Sequence, residues 1–206
     1  MAYRETPKIR ARKAAARQNI LDTATALVAQ GGFRSASVAE IAKQAGVATG
    51  TVYRHFESKG ELFSEVFRRA TQREVDKVGE ALEGGEGAVQ RLERSLRVFA
   101  ERALRGPTMA WALIAEPVDP EVDAERLVYR HAYAELFDQA IRNGIEQGEL
   151  PAQDPSLSAA AIVGALAESL VGPLSPSNRE TNAEADAKER LIDGILTFCI
   201  QAITRR

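Results

Sequence analysis

Residues 37–63, with the sequence SVAEIAKQAGVATGTVYRHFESKGELF, decide the fold of this chain. Ser37 and Glu40 stand three residues apart, which is the spacing of a capping box and predicts a short helix after Ser37. Gly46 ends that helix in a turn, and a second short helix is predicted over residues 49–56. Two short helices joined by a glycine-containing turn indicate a helix-turn-helix.

The sequence on either side predicts one helix before this pair and one after it. Apolar residues recur every three or four positions over residues 13–30, and Gly31 follows, as glycine commonly does at a helix end. Ser58 and Glu61 repeat the capping-box spacing, and an apolar stripe continues from there to Leu82. The first three helices form a small head, and the fourth leads out of it.

Beyond the glycine-rich loop at residues 83–87, the pattern predicts four to six further helices. Asp-Pro pairs at 119–120 and 154–155 mark helix starts, because proline is tolerated at the first helical position. The last two helices are predicted over about residues 156–171 and 183–203. The first of them is rich in small residues, and the second has an apolar face wider than one neighbouring helix needs. Such a face is typical of an oligomer interface, and a buried terminal helix in a monomer has the same pattern.

The fold class that follows is all-α, with an N-terminal three-helix helix-turn-helix head and a larger C-terminal helical bundle. Residues 1–12 are polar and basic, and we expect a flexible basic arm there. Residues 13–60 then form the helix-turn-helix domain, and residues 61–206 form the rest. An enzyme is the main alternative, but the sequence has no nucleophile elbow, phosphate loop or metal-ligand cluster.

Charge is distributed unevenly along the chain. The net formal charge of the 206 residues is −2. Residues 1–60 contain ten Lys or Arg and four Asp or Glu, a charge of +6, so the remainder carries −8. A basic head on an acidic body indicates a polyanionic partner bound at one end. An ordinary fluctuation of surface charge is the alternative.

Several classes of site are disfavoured by composition. Cys199 is the only cysteine, and His55 and His131 are the only histidines, so no metal centre and no cofactor are expected. His131 shares a predicted helical face with charged residues and is interpreted as part of a solvated surface. We see no signal peptide and no apolar run of membrane-spanning length, so we expect a cytoplasmic protein without a membrane partner.

In a helix-turn-helix, the start of the second helix meets base edges in the major groove of double-stranded DNA. The side chains in that position are those of Ala48, Thr49, Gly50 and Thr51. Short side chains allow close approach, and threonine can donate, accept or offer its methyl group to thymine. Tyr53, His55 and Lys59 lie on the flank, where hydroxyl and basic groups contact phosphate. Tyr53 could instead belong to the core, and Lys59 could be ordinary surface charge.

Residues 37–63, together with ILDTATALVAQGGF at residues 20–33, resemble the TetR family of bacterial transcriptional regulators. The resemblance implies DNA contacts by nine of the residues that we assign to the DNA-binding surface. These nine are Ser37, Val38, Ala39, Thr49, Gly50, Thr51, Tyr53, His55 and Lys59. It also implies a homodimer through the last two helices, and an effector-binding and dimerisation domain over residues 61–206. The expected function is that of a repressor released from a palindromic operator by a small-molecule effector.

Aromatic and sulfur-containing side chains in the body could line an apolar pocket for that effector. The candidates are Phe99, Met109, Trp111, Tyr133 and Phe137. Plain core packing would produce the same spacing, and an architectural DNA-binding protein without an effector remains a third interpretation.

Overall fold

The computed structural model describes residues 6–85, 87–178 and 185–205, and regular structure in these ranges is entirely α-helical. The first four helices are α1 (Pro7–Gly31), α2 (Val38–Gln44), α3 (Thr49–His55) and α4 (Lys59–Leu82). The others described are α5 (Ala88–Arg105), α6 (Pro107–Ile114), α7 (Pro120–Glu146), α8 (Pro155–Leu174) and α9 (Ala185–Thr204). The predicted all-α fold, with a helix-turn-helix head and a larger helical bundle, is confirmed.

Local hydrogen bonds explain why the head helices begin where they do. The backbone N–H of Glu40 donates to Ser37 Oγ at 3.1 Å, and that of Glu61 donates to Ser58 Oγ at 2.9 Å. Each serine thereby satisfies a donor that has no partner within its helix. Gly46, between α2 and α3, has φ of +70°, a conformation in which a side chain is strained.

The start of α1 differs from the prediction. The helix begins at Pro7, and Thr6 Oγ1 accepts a 3.4 Å hydrogen bond from the N–H of Ile9. Proline is favoured in this position because a backbone N–H at the start of a helix has no partner within the helix, and proline has no N–H to leave unsatisfied. The expectation of a flexible arm is therefore wrong for residues 7–12, and residues 1–5 lie outside the described part of the chain.

Two apolar clusters are present, and α4 contributes to both. The head cluster contains Phe63 and Phe67 from the first half of α4, packed with Phe33 from the segment after α1. The body cluster contains Val75 and Val78 from the second half of the same helix. Because one helix lies in both cores, the domain boundary at residue 61 stays a prediction. The same helix therefore connects the two cores.

Helices α7 and α8 pack against each other in the body. Tyr133, Phe137 and Ile141, which recur every four residues in the sequence, form the buried stripe of α7. Against the prediction, α8 is long and apolar enough to cross a membrane when judged by length and composition alone. Alanine and glycine make much of its sequence apolar, and its larger side chains, such as Leu166, pack into the body. The predicted loop at residues 173–186 falls partly outside the described residues, because positions 179–184 are not described.

Candidate DNA-binding surface and ligand cavity

The two helices of the helix-turn-helix are held by α1. Asn19 on α1 donates from Nδ2 to the carbonyl oxygen of Ala45 at 2.8 Å, and the N–H of Val47 donates to the carbonyl of Ala42 at 2.9 Å. Val52 points into the head core. These contacts fix the angle between α2 and α3, so the outer face of α3 is presented as a rigid surface.

That outer face carries the residues predicted to bind DNA. Tyr53 is 50% exposed, which excludes the interpretation of this side chain as core. Solvent also reaches the side chains or backbone of Ser37, Ala39, Ala48, Thr49, Gly50, Thr51, His55 and Lys59. A methyl group built on Gly50 would have open space within 4 Å, so the free protein does not itself require glycine there.

Val38 is the exception among the predicted DNA contacts. Its side chain is only 8% exposed and lies in the head cluster with Ile41 and Ala42. The first turn of α2 directs this side chain into the head core, and a contact between DNA and the backbone at Val38 stays a prediction. Ser37 and Ala39, on either side of it, face solvent.

Basic groups at the edge of this surface are positioned by aromatic rings. Lys59 Nζ lies 5.1 Å from the ring centroid of Phe63, and the Arg17 guanidinium lies 4.6 Å from that of Phe56. Cation–π contacts of this kind restrict a long side chain without neutralising its charge. Arg17 also pairs with Glu65, with Nη1 to Oε1 at 3.3 Å, so Lys59 is the cation of the two that is better placed to meet a phosphate.

The body contains a partly open cavity of about 150 Å³ between α4, α5, α6, α7 and α8. Four of the five predicted pocket residues line it. They are Phe99, Met109, Tyr133 and Phe137. Trp111 does not line the cavity, because α6 turns the neighbouring Ala110 and Ile114 toward it and Trp111 packs elsewhere against the body cluster.

Polar side chains in the cavity wall were missed by the sequence analysis. On α4, Thr71 and Glu74 share a helical face with Phe67 and Val78, and all four line the cavity. Arg102 from α5 forms a two-pronged ion pair with Glu74, with Nη2 to Oε1 at 2.8 Å. That pairing raises the pKa of the Arg102 guanidinium. Two polar residues within an apolar stripe were the signal available in the sequence.

A buried carboxylate links the body to the head. Glu116, which follows α6 and is 4% exposed, accepts hydrogen bonds from the N–H groups of Phe33 at 2.9 Å and Arg34 at 3.0 Å. Gly32 has φ of +79°, and a methyl group there would lie 2.6 Å from the carboxylate. The backbone between α1 and α2 is thus bound to the end of a helix that lines the cavity.

Arg126 on α7 strengthens the same junction from the cavity side. It donates from Nε to the carbonyl of Leu113 at 3.0 Å and from Nη2 to that of Glu116 at 2.8 Å, and it pairs with Asp123 at 2.6 Å. Burial lowers the pKa of its guanidinium. Arg126 also lines the cavity, so a single side chain contacts both the ligand space and the head-to-body junction.

His131 and Cys199, the other residues singled out in the sequence, belong to neither the DNA-binding surface nor the cavity wall. His131 lies on an exposed face 3.3 Å from Glu135, as expected for a solvated surface. Cys199 is buried. Within residues 6–85, 87–178 and 185–205, no group of His, Cys, Asp and Glu side chains could hold a metal ion.

A helix-turn-helix head that shares a helix with a body containing an internal cavity defines a ligand-responsive DNA-binding regulator. Residues 20–66 match the family described as bacterial regulatory proteins, tetR family, and residues 85–170 match the tetracyclin repressor-like C-terminal domain. This chain therefore belongs to the TetR family of transcriptional regulators. The two matched segments coincide with the head and with most of the body.

Individual relatives agree with this assignment. The transcriptional regulator AcrR of Shigella flexneri is 53% identical over 51 residues, which are 25% of this chain and 24% of AcrR. The regulator UidR of Escherichia coli strain K12 is 27% identical over 189 residues, 88% of this chain and 93% of UidR. The structure of FadR from Bacillus subtilis in complex with stearoyl-CoA superposes with a TM-score of 0.74 at 22% identity, covering 90% of this chain and 98% of that one. This last similarity shows a shared fold.

Proposed function

We propose that this regulator is a homodimeric repressor that leaves a palindromic operator when a small molecule enters the body cavity. The observation that carries the proposal is the position of the cavity: α4, α6 and α7 line it, and all three helices contribute buried residues to the head cluster. A ligand can shift the protein between two geometries only if it binds them with different affinity. Side chains that line the cavity and also pack against the head would change position between the two geometries, and this gives the ligand a different affinity for each.

The DNA-binding part of the proposal assigns roles by position on α3 and its flanks. Ala48, Thr49, Gly50 and Thr51, at the start of α3, face the bases. Tyr53, His55 and Lys59, together with Ser37 and Ala39, face the backbone of the operator. Two heads one helical turn apart, roughly 34–36 Å, would read two half-sites of opposite orientation.

The dimer part of the proposal places the interface on α8 and α9. Leu157 on α8 and Phe198 on α9 are 68% and 64% exposed, unusual values for large apolar side chains in a folded protein. Gly164 and Gly194 on these helices have open space where a side chain would begin, and this lets a second helix approach closely. Leu127 on α7 borders the same α8 face across a surface groove and extends the apolar area.

The cavity volume bears on which effector fits. A cavity of about 150 Å³ holds a molecule the size of benzene. The long acyl chain of the stearoyl-CoA bound to Bacillus subtilis FadR is far larger. We therefore propose a compact effector for this chain. We also infer that the chain is not an enzyme and acts in the cytoplasm, since the relatives matched are transcriptional regulators.

The proposal is tested by selecting binding sequences from a random duplex DNA pool with the full chain at near-physiological salt. A palindrome with two half-sites is the expected result. Enrichment of a single half-site would refute the dimer, and weak salt-sensitive binding without enrichment would refute specific recognition. Release from the selected operator by a compact apolar compound then tests the effector part.

A further inference from the structure

Thr71 in the cavity wall has a hydroxyl group without a partner. The residue lies in the middle of α4 and is 5% exposed. Its Oγ1 is the one buried side-chain oxygen or nitrogen in the described residues that has no hydrogen-bond partner. A buried polar group in this state destabilises the folded protein, so its presence requires an explanation.

Other helical threonines in this chain show what Thr71 could have done. The hydroxyl groups of Thr23, Thr25 and Thr204 each donate to the carbonyl four residues earlier, all at 2.8 Å. Such a bond satisfies the hydroxyl within its own helix. Because Thr71 does not form it, the hydroxyl is free to bond with a molecule in the cavity.

The charged groups around the cavity are already paired. Glu74 and Arg102 bond each other, and Arg126 bonds Asp123 and backbone carbonyls. Arg130 also lines the cavity, but it is exposed at the edge shared with the α7–α8 surface groove. An ion moved from water into this space would lose its hydration and find no free buried countercharge.

We propose that the effector is a compact, uncharged and mainly apolar molecule whose hydroxyl or carbonyl group hydrogen-bonds to Thr71 Oγ1. This inference rests on the proposed function, because it names the ligand class for the same cavity. The apolar part of the molecule packs against Phe67, Phe99 and Phe137, and its polar group reaches the single unsatisfied group of the wall. Thr71 is thereby a specificity-determining residue.

Three probes with one ring and different polar groups test the ligand class by calorimetry on the full chain. Phenol can bond to Thr71, benzene cannot, and benzoate adds a charge. We expect phenol to bind roughly 3- to 10-fold more tightly than benzene, as one net hydrogen bond allows, and benzoate to bind most weakly. Equal binding of phenol and benzene, tightest binding of benzoate, or no binding of any probe would overturn the proposal.

Two matched variants assign the effect to Thr71. In Thr71→Val the preference for phenol over benzene should disappear. In Thr25→Val, where the hydroxyl bonds to the carbonyl of Leu21 in the head, that preference should persist. The ligand-free melting temperature should rise in Thr71→Val and fall in Thr25→Val, because only the second loses a hydrogen bond. A phenol preference that survives in Thr71→Val overturns the assignment.

Binding to the cavity and binding to DNA are measured separately, so the two proposals can fail independently. If the probes bind as expected but leave operator affinity unchanged, the ligand class stands and effector-triggered release fails. If a compound releases the operator while the Thr71→Val variant responds to phenol and benzene exactly as the wild type does, release stands and the role of Thr71 fails.

Discussion

Replacing Glu116 by glutamine tests how strongly the head is attached to the body. The wild-type carboxylate accepts one hydrogen bond at each oxygen, from the N–H groups of Phe33 and Arg34. Glutamine keeps one acceptor and turns an NH₂ group toward the other N–H. The variant therefore loses one charge-assisted bond and leaves buried donors facing each other.

The expected loss of stability follows from those two effects. A hydrogen bond to a charged group contributes about 1.5–3 kcal/mol, and a buried unsatisfied donor costs about 1–3 kcal/mol. These contributions overlap, so we expect the free energy of unfolding to fall by about 2–4 kcal/mol. For a chain of this size, each kcal/mol lowers the melting temperature by roughly 2–4 °C. The predicted fall in Glu116→Gln is therefore roughly 4–16 °C.

Thermal unfolding followed by circular dichroism measures this change, with urea unfolding as the second assay. Glu135→Gln is the matched control, because the Glu135 side chain is exposed and lies 3.3 Å from the equally exposed His131. Its melting temperature should stay within about 2 °C of wild type. If Glu116→Gln has the same melting temperature as Glu135→Gln, the junction contributes little to the stability of the fold. The proposed link between cavity and head then loses its support.

Three further predictions concern the DNA surface, the dimer and the buried thiol. Tyr53→Ala and Lys59→Ala should weaken binding to all duplex sequences. Lys59→Ala should also reduce the slope of log affinity against log salt by about 1. If DNA affinity is unchanged in both variants, Tyr53 and Lys59 do not belong to the DNA-binding surface. Phe198→Asp should convert the dimer to monomer in sedimentation experiments, and a persistent dimer would place the interface elsewhere. Burial raises the pKa of the Cys199 thiol from 9.0 to about 11, so the stability that this thiol contributes is complete below pH 9 and is lost as the pH rises through about 11. The difference in unfolding free energy between wild type and Cys199→Ala should shrink over that range, and a constant difference would contradict the shift.

The helix-turn-helix could be predicted because the signals that form it are local. Ser37 and Ser58 bond to N–H groups three residues away, and Gly46 supplies a positive φ in the turn. Interactions between residues three or four positions apart can be recognised from the residue types and their spacing in the sequence. The exposed position of Tyr53 did not follow from such signals, because the apolar residues Val52 and Phe56 flank it and a core position is also consistent with the sequence.

The cavity was predicted less completely, because its wall combines residues from five helices. The sequence showed that Tyr133 and Phe137 point inward, but an inward residue can face either another side chain or an open space. The rotation of α6 about its axis decides that Met109 lines the cavity and Trp111 does not. No spacing within α6 fixes that rotation, which depends on its packing against α1, α5 and α8.

The fold class, the two helices of the helix-turn-helix and the contrast between a basic head and an acidic body follow from local patterns in the sequence. Only the tertiary structure decided that Glu116 binds the backbone of Phe33 and Arg34, more than 80 positions away. It also decided that the hydroxyl of Thr71 lacks the backbone partner that Thr23, Thr25 and Thr204 have. Local hydrogen bonding and periodicity act over about one helical turn. The burial of a side chain and its hydrogen-bond partners depend instead on which helices pack against each other.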